Sequence, residues 1–79
     1  MNQAIQFVDR VEYDNGVMTF YAMVSGLLLP CVIELGINER SDALAHFAQH
    51  RFDYEEIAES LIEDEEYGED GIVKVKSLA

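Results

Sequence analysis

Basic residues are scarce in this chain. Five Lys and Arg stand against sixteen Asp and Glu among 79 residues, which gives a formal net charge of −11. Nucleic acid backbones and anionic lipid surfaces are bound mainly through clustered Lys and Arg, whose attachment releases counterions. We therefore predict that this chain binds neither nucleic acid nor a membrane surface.

Cysteine and long apolar segments are also scarce. Cys31 is the only cysteine, so an intramolecular disulfide is excluded, and residues 1–4 lack the basic and apolar segments of a signal peptide. The longest strongly apolar stretch, Leu27 to Ile33, contains Pro30 and is too short to cross a bilayer as a helix. These absences predict a soluble cytoplasmic protein.

What the chain does have is enough apolar sequence to fold. Hydrophobic residues make up 49% of it, which is too high for a disordered acidic tail. Its length suits one domain, and no linker or repeat divides it. We predict a single α+β domain spanning residues 1–79.

Strand patterns occupy the first half of the chain. Asn15-Gly16 between alternating apolar residues is a strong hairpin signal, and Ser25-Gly26 predicts a second tight turn. Pro30 lacks an amide hydrogen, so the third strand should be an edge strand or carry a bulge there. Six residues are assigned to the inner face of the sheet: Phe20, Ala22, Val24, Leu29, Cys31 and Ile33.

Helical spacing begins after Asn38. A first helix is predicted with Leu44, Phe47 and Ala48 on its apolar side and Ser41 or Asn38 as N-cap. A second helix should start at Asp53, which forms a capping box pattern with Glu56. Its apolar stripe is Tyr54, Ile57, Ala58 and Leu61, and a final strand is expected within Ile72 to Leu78. The pattern predicts a two-layer α+β fold in the order β-β-β-α-α-β, with an antiparallel sheet and both helices packed on one face.

Catalytic and metal sites find little support. His46 and His50 are four residues apart, but the inward positions of Leu44 and Phe47 place both histidines toward solvent, without a third zinc ligand. Cys31 alternates with core residues, so we expect a buried thiol rather than a nucleophile. We predict no catalytic residues, no cofactor and no metal site.

An acidic block is the most distinctive feature of the second half. Ten acids and no Lys or Arg lie between Asp53 and Asp70, whereas Arg51 just precedes the block and is expected to bond Glu55 or a helix carbonyl. Three interpretations remain: a solvated face that maintains solubility, a docking face for a basic partner, or weak divalent cation binding. The candidate acidic interaction face consists of Glu55, Glu56, Glu59, Glu63 and Glu66.

The order of several short segments resembles the YrdB-like family of short, uncharacterised bacterial proteins, a domain of unknown function. The segment from Phe47 to Ile62 is the most specific part of the match. The matching segments are residues 5–7, 9–10, 12–13, 20–26, 29–33, 47–53 and 55–62. The resemblance implies a small two-layer α+β fold with an antiparallel sheet, and it implies no reaction and no catalytic residues.

These observations predict a small acidic, non-catalytic interaction protein whose partner the sequence does not identify, a basic protein being the partner that the acidic face would suit. The alternative is a small-molecule binder or an enzyme that uses a pocket between the sheet and the helices. The chain is expected to be either a monomer or a homodimer through an exposed strand edge.

Overall fold

Four strands and one helix follow each other in the order β-β-β-α-β. The computed structural model describes residues 5–79, so residues 1–4, on which the absence of a signal peptide was predicted, lie outside this range. The elements are β1 (Ile5–Asp14), β2 (Val17–Val24), β3 (Leu27–Glu34), α1 (Arg40–Glu63) and β4 (Val73–Val75).

The sheet has the strand order β1-β2-β3-β4 and is mixed rather than antiparallel. β1, β2 and β3 form an antiparallel meander, whereas β4 pairs in parallel with Cys31–Ile33 of β3. The prediction of an antiparallel sheet was therefore wrong. A helix that leaves β3 and crosses the sheet returns the chain at the end where β3 began, so the next strand runs in the same direction.

Both predicted hairpin turns are confirmed. Asn15 and Gly16 have φ values of 49° and 81°, and Ser25 and Gly26 have 51° and 82°. Positive φ at both central residues is the geometry that matches the right-handed twist of two-residue hairpins. β1 has a register shift between Phe7 and Val11, and Asp9 within this stretch has a 98% exposed side chain that approaches Arg51.

A single helix replaces the two that were predicted. α1 runs from Arg40 to Glu63, and only His50 within it has non-helical dihedrals (φ −109°, ψ 17°). No Pro or Gly interrupts residues 49–53, so the backbone resumes the helix immediately and Asp53 lies inside it instead of capping it. The N-cap is Glu39, without a side-chain cap, so the assignment to Ser41 or Asn38 was also wrong.

The core lies between one face of the sheet and α1. Five of the six predicted inner-face residues are buried, Leu29 is partly buried, and Met18 joins them. The helix contributes Ala43, Phe47, Tyr54, Ala58 and Ile62; Ala48, which was predicted to be apolar-facing, is exposed. β4 is shorter than expected, but Val73 and Val75 are buried and Lys74 is exposed, as the alternation predicted.

One edge of β3 is open at Pro30. On the side away from β2 this residue has no β4 residue opposite it, which is consistent with the missing amide hydrogen of proline. Within residues 5–79, none of the helical sequence is both long and apolar enough to cross a membrane.

Candidate functional site

The five acids of the predicted interaction face do not share one environment. Glu56, Glu59 and Glu63 are exposed on α1 at three- and four-residue steps, which places them on one side of the helix. Glu66 is exposed but lies beyond the end of the helix, and Glu55 is half-buried. The four exposed carboxylates, Glu56, Glu59, Glu63 and Glu66, form the acidic surface.

Glu55 belongs to an ion-pair network that joins the helix to β1. Arg51 donates from Nε to Glu55 Oε2 at 3.0 Å, and its Nη1 lies 3.6 Å from Asp9 Oδ1. The hydrogen bond to Glu55 is the main cause that raises the pKa of Arg51. The expected pairing of Arg51 with Glu55 is confirmed, and it removes Glu55 from the surface available to a partner.

The acidic segment, which runs from the last residue of α1 to Asp70, holds six exposed acids within eight residues: Glu63, Asp64, Glu65, Glu66, Glu69 and Asp70. None of these carboxylates forms a salt bridge with another residue of the described range 5–79. Lys74 lines a shallow surface depression with Glu65, Glu66 and Asp70 but is not within ion-pair distance of them. Lys74 of β4 therefore forms no ion pair that would offset the repulsion among these acids.

Backbone hydrogen bonds nevertheless give this acidic segment a defined start and end. The amides of Glu66 and Glu65 donate to the carbonyls of Leu61 (2.8 Å) and Ile62 (3.0 Å), which is the Schellman pattern of a helix C-terminus. Glu65 occupies the left-handed position of this motif with a φ of 55°, where glycine is usual. Asp70 Oδ1 accepts the Ile72 amide at 3.0 Å and closes the loop before β4.

His46, His50 and Tyr54 form an aromatic cluster on the helix, and the prediction of two solvent-facing histidines was wrong. Both imidazoles are half-buried, and their centroids are 4.6 Å apart. His46 Nε2 lies 2.7 Å from the hydroxyl oxygen of Tyr54, a residue with no exposed surface. Residues four apart share a helical face, and His50 and His46 lie four and eight residues before Tyr54. The predicted core position of Tyr54 therefore already indicated that both histidines lie beside it.

The Tyr54 hydroxyl also binds the segment after β4. It accepts the Leu78 amide hydrogen at 2.9 Å, so its own hydrogen is available to a neutral His46 whose Nε2 carries none. Burial, followed by the neighbouring His50 ring, lowers the pKa of His46 and favours that neutral form. The cluster therefore acts as a hydrogen-bonded connection between α1 and the chain after β4.

Other nucleophilic and ligand candidates lack the surroundings that their chemistry requires. Cys31 is fully buried, and this burial raises its pKa to about 12, which disfavours the thiolate needed for nucleophilic attack. Residues 5–79 contain no group of three His, Cys, Asp or Glu side chains placed to hold a metal ion.

A polar cluster on the open face of the sheet was not predicted. Arg10 Nη2 and the Tyr21 hydroxyl each donate to the Glu12 carboxylate at 2.7 Å, and the Arg10 guanidinium lies 4.9 Å from the Tyr21 ring centroid. The hydrogen bond from Tyr21, followed by that from Arg10, lowers the pKa of Glu12. Arg10 and Glu12 are two residues apart on β1 and therefore share a face, which the spacing could have indicated, whereas the contact with Tyr21 depends on the register between β1 and β2.

Known proteins resemble this chain over nearly its whole length. The model of the family described as "Protein of unknown function (DUF1488)" matches residues 5–75. Uncharacterized protein YrdB of Escherichia coli (strain K12) is 43% identical over 82 residues, with 92% of this chain and 96% of the relative covered. YrdB of Shigella flexneri is 42% identical with the same coverage.

A solved structure shares the fold. The crystal structure of a protein of unknown function from the DUF1488 family from Shewanella loihica PV-4 has a TM-score of 0.83 and 35% sequence identity, and 95% of this chain and 94% of that chain are covered. Together with the sequence relatives, this match confirms the resemblance to the YrdB-like family.

Proposed function

The chain belongs to the DUF1488 family of proteins of unknown function, and we propose that it acts as a non-catalytic interaction protein that binds a basic protein partner. The acidic surface of Glu56, Glu59, Glu63 and Glu66 is the proposed contact. The observation that carries the proposal is that these exposed carboxylates form no salt bridge within residues 5–79. A surface of one charge sign steers an oppositely charged partner and aligns it before contact.

Comparison with the paired acids of the same chain strengthens this interpretation. Glu55 and Glu12 each accept a hydrogen bond from an arginine and so contribute to the fold. The carboxylates of the acidic surface have no such partner, and their mutual repulsion reduces stability rather than adding to it. A basic partner would supply the missing counter-charges.

The alternative, a ligand pocket between the sheet and the helix, is less well supported. The residues buried at that interface are apolar, apart from the Tyr54 hydroxyl, whose hydrogen bonds are made within the chain. Arg51, one of the polar residues that would have to converge on such a pocket, is instead bound to Glu55 and Asp9. A pocket enzyme would require convergent polar groups that are available to a substrate.

The test is affinity capture with a charge-reversed variant and a matched control. Glu59→Lys with Glu63→Lys should abolish capture of a basic protein from the lysate of the source organism. Asp14→Lys with Glu34→Lys makes the same charge change at two exposed residues on the sheet and should leave capture unchanged. Captured protein should be released near 1 M salt, where the Debye length falls to about 3 Å.

Equal capture by the two variants would contradict the proposal. Thermal unfolding should accompany the experiment, because surface substitutions of this kind change the free energy of unfolding by only about 0.5 kcal/mol. A normal transition then shows that lost capture is not lost folding.

A further inference from the structure

An apolar groove lies beside the acidic segment, between the start of β3 and the loop before β4. Val24, Leu27 and Leu29 of the sheet line one side, and Tyr67, Glu69 and Gly71 line the other. The cavity volume is about 430 Å³. That volume falls within the roughly 300–1,000 Å³ of small-ligand sites, so the groove has room for an apolar side chain and its neighbours.

The groove exists because β4 is short. β4 pairs only with Cys31–Ile33, so the first residues of β3 have no strand beside them on this edge. Leu27 and Tyr67 consequently remain 66% and 38% exposed. Single exposed apolar residues are ordinary, but here two of the larger ones converge on one concavity, which is typical of a contact surface.

Charge around the groove indicates what would occupy it. Glu69 forms part of the wall, and Glu65, Glu66 and Asp70 lie in the same loop, each exposed and without a salt bridge in residues 5–79. A cationic segment would be attracted to this rim. A second copy of the chain carries a net charge of −11 and would be repelled from it.

We propose that this groove binds a short cationic peptide segment of the partner, with one leucine-sized side chain inserted between Leu27 and Tyr67 and with Lys or Arg on either side facing the acidic loop. The proposal rests on the proposed function, since it assumes a basic partner, and it adds the apolar contact that holds that partner. Charge then sets the rate of association, and the buried side chain sets the lifetime of the complex.

The test uses a synthetic peptide in which one leucine is flanked on each side by two lysines, titrated into the isotopically labelled full-length chain. Amide chemical shifts should change at Leu27, Leu29, Tyr67 and Gly71. Leu27→Ser and Tyr67→Ser should each weaken binding by about tenfold, which corresponds to about 1.4 kcal/mol. Phe52→Ser is the matched control, since Phe52 is 84% exposed on α1 and lies outside the groove, and it should bind as the unmodified chain does.

The outcomes separate this proposal from the proposed function. If charge reversal at Glu59 and Glu63 abolishes partner capture but Leu27→Ser and Tyr67→Ser bind the peptide normally, the groove is refuted and the acidic contact stands. The groove is also refuted if the peptide does not bind, if replacing its leucine by glycine has no effect, or if Phe52→Ser weakens binding equally. Concentration-dependent dimerisation lost in Leu27→Ser would assign the groove to a second copy instead.

Discussion

The middle of α1 and the stretch from its last turns to the loop before β4 both carry polar side chains, but in opposite situations. Around His46 to Glu55, the tyrosine, histidine and arginine side chains have partners within the chain, in β1 or after β4. From Glu59 to Asp70, the exposed carboxylates form no salt bridge in the described range. Charge alone does not distinguish a structural residue from a candidate contact residue; the presence of a partner does.

The stretch from His46 to Glu55 is called the paired region here, because its polar side chains have partners within the chain. Tyr54 provides the severest test of it. Tyr54→Ala removes a fully buried ring that contacts Phe47 and both histidines, and we expect the free energy of unfolding to fall by about 3–5 kcal/mol. Tyr54→Phe keeps the ring and removes only the hydroxyl, so about 1 kcal/mol should be lost. Denaturant unfolding monitored by circular dichroism measures both.

Phe52→Ala is the control for this pair, because Phe52 lies on the same helix but is 84% exposed. It should change stability by no more than about 0.5 kcal/mol. If Tyr54→Ala and Phe52→Ala had similar effects, the middle of the helix would not be the structural region that its contacts indicate.

Arg51 tests whether the ion pairs of the paired region stabilise the fold. Arg51→Met keeps most of the aliphatic side chain but loses the contacts to Glu55 and Asp9, so we expect a loss of about 1 kcal/mol. The expected loss of stability is small because Asp9 is 98% exposed and water partly screens both ion pairs.

Arg10→Met gives the comparison for Arg51, since Arg10 also bonds a glutamate but does so on the open face of the sheet. Its effect on the unfolding midpoint should be smaller than that of Arg51→Met, because the Arg10–Glu12 ion pair is more than half exposed on average and joins residues of one strand, so only the contact of Arg10 with the Tyr21 ring reaches another element. The reverse order would show that connecting β1 to the helix contributes nothing.

Glu65 tests the acidic segment, where we predict that a substitution increases the free energy of unfolding. Glu65→Gly removes a non-glycine residue from the left-handed position of the Schellman motif, which relieves about 1–2 kcal/mol of strain. The backbone entropy of glycine offsets about 0.5–1 kcal/mol of this relief, so a net gain of about 0.5 kcal/mol is expected in denaturant unfolding.

Glu66→Gly removes the same charge from the neighbouring residue, at which no positive φ occurs. That variant should be slightly destabilised, because glycine adds entropy to the unfolded chain without relieving strain. Equal gains in both variants would mean that charge repulsion, and not backbone conformation, limits stability at the end of the helix.

The sequence was informative where local chemistry decides the structure. Asn15-Gly16 and Ser25-Gly26 favour positive φ whatever surrounds them, and the alternation of Phe20, Ala22 and Val24 identifies the buried face of β2. The predicted stripe of Tyr54, Ile57, Ala58 and Leu61 is likewise a local pattern: Tyr54 and Ala58 are buried and Ile57 and Leu61 are partly buried, whereas Ile62, outside the stripe, is also buried.

Features that depend on distant contacts could not be predicted in the same way. The parallel pairing of β4 follows from the path of the whole helix. Tyr54 accepts a hydrogen bond from Leu78, which is 24 residues later in the chain, and Arg51 pairs with Asp9, which lies far earlier in the chain. The capping box pattern at Asp53 does not start a second helix, because the chain resumes its helical conformation directly after the kink at His50 and no Pro or Gly separates the two parts. The groove at Leu27 depends on where β4 begins, which no local pattern specifies.

The smallest effect that we expect is at His46, and it is a change in how the free energy of unfolding depends on pH. Burial lowers its pKa in the folded chain, whereas the unfolded chain has an ordinary histidine pKa of about 6.5. Below that pH the unfolded state binds more protons at this residue, so its contribution to stability is present at higher pH and is lost as the pH falls. His46→Gln should therefore flatten the dependence of the free energy of unfolding on pH between about 7.5 and 5.5, measured by denaturant unfolding at each pH. Parallel curves for the two proteins would show that the burial of His46 does not alter its protonation in the folded chain.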